Sequence, residues 1–105
     1  SESPPWSLPL DQFERRVQAA LATVPDDLAP VIEGALVVVT DLPGAEVVAD
    51  GVDPRAPVLV DALSGPGEPE KVGRIFVYKR NVARIAPGVL ELDAEIARTL
   101  FLKLL

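Results

Sequence analysis

The chain of 105 residues contains no cysteine, no histidine and no methionine, and only 5% of its residues are aromatic. The absence of cysteine excludes disulfide bonds and predicts a reducing compartment, the cytoplasm. Zinc sites in proteins are normally built from imidazoles and thiolates, so we expect no zinc and no other cofactor. A Ser-His-Asp catalytic triad is excluded because the chain has no histidine.

The sequence also lacks long apolar runs and an excess of basic residues. Its longest apolar candidates, 35–39 and 100–102, are far shorter than the roughly 20 residues that span a bilayer, so no membrane partner is expected. A net charge of −6 argues against nucleic-acid binding. Because 49% of the residues are apolar, we predict one globular domain over 10–105, preceded by an extended proline-rich arm over 1–9.

Hydrophobic spacing predicts helices at the start of this domain. Apolar residues three and four positions apart indicate a first helix whose buried face includes Phe13, Val17 and Leu21. Ser7 is its candidate N-cap. A short second helix is expected over 26–33, capped by its first residue, Asp26.

Segments rich in β-branched residues follow. The continuous apolar run at 35–40 predicts a buried central strand. A proline-led run at 57–63 predicts a second strand, and the alternating pattern at 73–79 predicts a third. Within the loop between the first two, 46–49 is expected to be a short extended piece.

The last part of the chain is predicted to be helical, with a turn or two at 80–86 and a final helix from Leu92. Five of the last six residues are apolar. A helix that is apolar on all sides must be covered on all sides, so we predict a self-association surface, most simply in a homodimer. Its candidate residues are Trp6, Phe101, Leu102 and Leu105.

Charge is distributed unevenly along the chain. Residues 41–70 hold seven acids and one base, and residues 71–103 hold seven bases and three acids. The basic part contains a candidate anion patch, with a solvated surface as the alternative: Arg74, Lys79, Arg80 and Arg84. In the acidic part, Asp50, Asp53 and Asp61 are weak candidates for a hard cation, and separate solvated acids are the favoured alternative.

Three stretches together resemble a known family. They are the helix Asp-Gln-Phe-Glu-Arg-Arg-Val-Gln-Ala-Ala-Leu at 11–21, closed by Val24-Pro25, the strand Gly-Arg-Ile-Phe-Val-Tyr-Lys-Arg-Asn at 73–81, and Glu-Ile-Ala-Arg-Thr-Leu-Phe at 95–101. In this order and spacing they resemble the minimal zincin-like metallopeptidases of bacteria. The resemblance implies a small α+β domain in which helices pack on a three- to four-stranded sheet.

The resemblance also shows what the chain lacks. In its register, the first zinc-ligand histidine falls on Leu102, the water-activating glutamate on Lys103, and the second histidine one residue past Leu105. Leucine and lysine supply neither function, so no catalytic, metal or cofactor residue is carried over. This predicts a catalytically inactive zincin-like domain that binds itself or a protein partner. The alternatives are a zinc metallopeptidase-family protein with an altered or truncated C-terminus and, less favoured, a metal-independent enzyme using carboxylates.

Overall fold

The computed structural model describes residues 7–63, 66–67 and 71–104, which form helices and a small sheet. The helices are α1 (Leu10–Leu21), α2 (Ala29–Ile32), α3 (Ala45–Ala49), α4 (Lys79–Ile85) and α5 (Leu92–Leu104), with a 3₁₀ turn at Val89–Glu91. The strands are β1 (Leu36–Thr40), β2 (Val58–Ala62) and β3 (Val72–Tyr78). The predicted α+β class with a small sheet is therefore confirmed.

The three described strands form one mixed sheet in the order β1-β3-β2. β1 is parallel to β3, with Val38 opposite Phe76, and β2 is antiparallel to β3, with Leu59 opposite the same Phe76. The central strand is therefore β3, and the prediction that 35–40 forms it is wrong. An apolar run predicts burial, but the position of a strand depends on which later strand pairs with it.

One face of the sheet carries the core. Ile75 and Val77 of β3 are fully buried there, and α1 and α5 pack against each other and over this face. Phe13 and Val17 are also fully buried, which confirms the predicted inner face of α1, while Leu21 is half-buried against the same core. Each fully buried side chain of this size stabilises the fold by roughly 1.5–3 kcal/mol.

The opposite face of the sheet, which we call the open face, is only partly covered. Val38, Phe76 and Leu59 form a half-buried apolar row across the three strands. Leu36, one step from this row, is 61% exposed, whereas Tyr78 at the end of β3 is 3% exposed. Tyr78 is on the open face because alternate residues of a strand share a face. The open face is therefore most deeply buried at its Tyr78 end and most exposed at its Leu36 end.

The starts of the first two helices differ from the prediction. α1 begins directly after Pro9 without a side-chain cap, so Ser7 is not its N-cap. α2 is shorter than the predicted helix and is not capped by Asp26. Its end agrees with the sequence, since Gly34 follows with a φ of +79°, a conformation that glycine adopts without steric cost.

The loop between β1 and β2 also contains a helix that the sequence did not indicate. Residues 46–49, expected to be extended, belong to α3. Alanine and glutamate favour helix over strand, and Gly44 precedes them at the N-cap position. The two valines of this segment are half-buried. Partial burial of valine is compatible with a strand or a helix, so the valines alone did not distinguish the two.

Distant segments meet at the start of α4. Lys79 is only 9% exposed, and its Nζ donates a 2.8 Å hydrogen bond to the Leu8 carbonyl and lies 3.5 Å from Oδ1 of Asp41. The Nδ2 of Asn81 donates to two carbonyl oxygens of the loop before β2, at 2.8 and 2.9 Å. These bonds hold the segment before α1, the end of β1 and this loop against α4.

Candidate functional site

The end of α5 is where the sequence predicts an interaction surface. Leu92, Ile96 and Leu100 are fully buried and form the inner face of this helix. Phe101 is half-buried and packs against the core of its own chain, whereas Leu102 is 59% exposed. The helix end is therefore apolar on two sides, one facing the core and one facing solvent.

The other two candidate interface residues, Trp6 and Leu105, lie outside the described residues. Leu102 is thus the described candidate that presents most of its side chain to a partner. Its neighbour Lys103 is exposed as well.

Leu102 borders a groove between the end of α5, the end of α4 and the start of β2. This groove has a volume of about 330 Å³, and we call it the α5 groove; its described lining is Pro57, Ile85, Arg98, Thr99, Leu102 and Lys103. Ile85 is 44% exposed, so the groove has a second accessible aliphatic side chain. Pro57 and Ile85 were not predicted as site residues, because no local pattern indicates which strand and helix ends meet α5.

Two polar side chains that line the α5 groove, Arg98 and Thr99, have partners within α5. The Thr99 hydroxyl donates a 2.8 Å hydrogen bond to the Glu95 carbonyl oxygen. Arg98 donates to the Glu95 carboxylate at 2.8 Å, and this hydrogen bond, with the carboxylate's charge, raises the pKa of the Arg98 guanidinium above its ordinary value. The groove therefore offers an apolar floor and a rim with both signs of charge.

The two positions onto which the resemblance places a zinc-ligand histidine and a catalytic glutamate, Leu102 and Lys103, lie on this same surface. Leu102 has no atom that can donate to a metal, and the ammonium group of Lys103 repels a cation. Within the described ranges, no group of three or more carboxylates lies close enough to hold a metal ion, and the chain has no histidine or cysteine to contribute. This surface therefore offers apolar and cationic side chains for contact with a partner.

The three candidate cation ligands are in separate environments. Oδ1 of Asp53 accepts a 2.9 Å hydrogen bond from the Arg55 amide within a local turn. Asp61 forms an ion pair with Arg74 across β2 and β3, and Asp50 is the C-cap of α3. The structure does not bring the three carboxylates together.

The four cations of the predicted anion patch do not form one patch. Arg74 lies on the open face, 5.4 Å from the centroid of the Phe76 ring, and Lys79 is buried at the start of α4. Arg80 and Arg84 stay together, one turn apart on α4, beside a pocket of about 530 Å³ whose described lining also includes Ala83 and Ala86. The single patch is wrong because a strand changes to a helix at Lys79, which turns neighbouring side chains in different directions.

Comparison with known proteins gives no relative from which a function can be transferred: no family model matches the sequence, and no curated protein matches it. None of the helices in the described ranges has the length and apolar character of a membrane-spanning segment. The geometry of the α5 groove is therefore the main guide to function.

Proposed function

We propose that this chain is a catalytically inactive zincin-like domain that acts as a binding module and self-associates through the α5 groove. The observation that carries the proposal is the 59% exposure of Leu102 beside Ile85, which is 44% exposed. Both are large aliphatic side chains at one groove, so covering them removes apolar surface from water. The resemblance implies a small α+β domain with helices packed on a sheet, and the three described strands and the helices α1 and α5 have that general arrangement.

A second copy is a suitable occupant because the same surface offers a projection and a hollow. Leu102 projects from α5, and the hollow beside it is bordered by Pro57 and Ile85. In a twofold dimer each copy inserts the same residue into the same hollow of the other, which is the self-complementarity that an isologous interface requires. Glu95 and Arg98 supply opposite charges at the rim.

The solution mass tests this proposal. We expect the purified chain to be dimeric at micromolar concentration in light scattering, and Leu102→Glu to make it monomeric because a carboxylate would be buried in the interface. Leu90→Glu is the matched control, since Leu90 is 79% exposed in the 3₁₀ turn at the other end of α5 and should leave the mass unchanged. A monomeric wild-type chain, or equal loss of mass in both variants, would contradict the proposed interface.

The proposed absence of zinc-dependent catalysis is tested separately by metal content. We expect elemental analysis after dialysis to find far less than one zinc per chain, because the sequence has no imidazole or thiolate. Stoichiometric zinc would overturn this part of the proposal. The alternative of an altered or truncated C-terminus remains a prediction, and a native reading frame that continues beyond Leu105 into histidines would favour it.

A further inference from the structure

The outer edge of β1 has unpaired backbone groups. β1 pairs with β3 on one side, and in the described residues no backbone hydrogen bond reaches the other side of Leu36–Thr40. Successive residues of a strand direct their N–H and C=O groups alternately to its two sides. About half of the backbone groups of β1 are therefore available to another strand.

Natural sheets prevent unwanted pairing at an edge with charged residues, proline, bulges or a covering segment. The strand β1 itself contains none of the first three, and in the described part of the chain no segment forms backbone hydrogen bonds along its outer edge. β1 reads Leu-Val-Val-Val-Thr, and its register with β3 is regular from Leu36 to Thr40. Leu36 is 61% exposed and Leu42, just beyond the strand, is 43% exposed. The strand is therefore regular and apolar, with an exposed leucine near each of its ends.

The two faces of β1 determine which side chains an added strand would carry. Val37 and Val39 pack toward the core, whereas Leu36 and Val38 lie on the open face. A strand added to this edge extends both faces, so its side chains alternate between them. Apolar residues facing the α1 side and apolar or hydroxyl side chains facing the open side would fit this position.

Charge disfavours a second copy of this chain on the edge. If two β1 strands paired antiparallel about Val38, Asp41 of one would be opposite Ala35 of the other and diagonal to the other copy's Glu33. The same acidic pair would recur at the other end, and like charges across strands are destabilising. Within each chain Lys79 approaches Asp41, but Glu33 has no ion pair in the described structure. A strand with basic ends is the complementary occupant.

We propose that the outer edge of β1 binds an extended segment of another protein by strand addition, and that this segment has alternating apolar residues with lysine or arginine at both ends. Main-chain hydrogen bonds supply affinity in such recognition, and side-chain pockets and charges supply specificity. The site is separate from the α5 groove, so a dimer formed through α5 would present two such edges. The proposal does not depend on that dimer.

Synthetic peptides test the proposal without altering the fold. The probe is a fluorescent peptide of alternating valine and threonine with lysine at each end, matched in length to β1 and titrated with the full chain by anisotropy. We expect saturable binding, at least about tenfold weaker binding when the lysines are replaced by glutamate, and loss of binding when alternate peptide amides are N-methylated. Equal binding of the N-methylated peptide, or no binding of the lysine-ended peptide, would overturn the proposal.

Protein variants locate the binding site. Leu36→Lys is expected to weaken binding by about tenfold, because lysine protects an edge strand from pairing. The matched control is Leu63→Lys, which makes the same charge change at a 73% exposed leucine beyond β2 and should leave the affinity unchanged. Equal effects of the two variants would contradict binding at β1. A wild-type dimer that Leu36→Lys dissociates would instead assign the edge to a second copy and refute the proposed occupant.

Discussion

β1 and β2 are both five residues long and both pair with β3, yet their outer edges differ. β2 follows Pro57, carries Asp61, and has a register irregularity between Asp61 and Ala62, and α5 packs beside it. β1 has no proline, no charge and a regular register. Because the same small sheet protects the β2 edge with these four features, the unprotected edge of β1 is best explained by a partner strand rather than by a general tolerance of open edges.

The largest effect is expected where the two strands differ in burial. Val58→Ala in β2 should lower the free energy of unfolding by about 2 kcal/mol, because Val58 is fully buried, whereas Val38→Ala in half-buried β1 should cost less than about 1 kcal/mol. Urea unfolding with an unchanged m-value measures both. Equal costs would mean that β1 is covered as fully as β2, and the comparison would fail.

The next effect concerns how the end of β1 is held in place. Lys79→Met should cost about 1–2 kcal/mol, because it removes the hydrogen bond to the Leu8 carbonyl and the approach to Asp41. Amide exchange should accelerate near the end of β1 more than in β2. Arg15→Met, at an exposed cation of α1 away from the α5 groove, should change neither measurement. Uniform acceleration across both strands would show that Lys79 supports the whole fold rather than this end.

A smaller effect is expected at the charged position of β2. Asp61 and Arg74 are 47% and 56% exposed, so their ion pair is largely solvated. Asp61→Asn should lower stability by no more than about 1 kcal/mol, and this difference should shrink in about 1 M salt. A larger, salt-independent loss would indicate that Asp61 stabilises β2 as well as protecting its edge.

The smallest effect on stability at neutral pH is expected for Tyr78, at the buried end of the open face. Burial raises the pKa of Tyr78 above its ordinary value of 10.0, so the unfolded chain ionises first as the pH rises. The contribution of Tyr78 to stability should be constant below pH 10 and should be lost above it, through the window between the unfolded and folded pKa values. Tyr78 is the only tyrosine, so tyrosinate absorbance reports it alone, and Tyr78→Phe should remove this part of the pH dependence. An alkaline loss that persists in the variant would assign it to other groups.

Local patterns predicted the elements but not their neighbours. Periodicity identified α1, β3 and α5, because the spacing of apolar residues reports directly on one-sided burial. It misplaced β1, because a run of valines is compatible with a central strand and with an edge strand. The burial of Lys79 could not be predicted at all, since its hydrogen-bond acceptor, the Leu8 carbonyl, is 71 residues away in the sequence.

For the candidate site too, the sequence indicated local features but not how distant elements pack. The sequence predicted that the end of α5 has more apolar surface than its own domain covers. Leu102 is exposed there, and the interface itself stays a prediction. The sequence did not indicate that Phe101 turns toward the core or that Ile85 completes the groove. Both depend on the packing angle of α5 against α4 and β2, which no stretch of sequence encodes locally.

The strand order has a consequence for how the protein is made. β3 begins at Val72, so it is the last strand to leave the ribosome, although it is the one to which both other strands pair. β1 and β2 are not neighbours in the sheet, and neither has its native strand partner until β3 is synthesised. The sheet therefore cannot grow strand by strand during translation but assembles around its final strand. Until β3 is synthesised, the nascent chain carries two apolar strands without partners. During that time both edges of β1 are unpaired and could be bound by a chaperone.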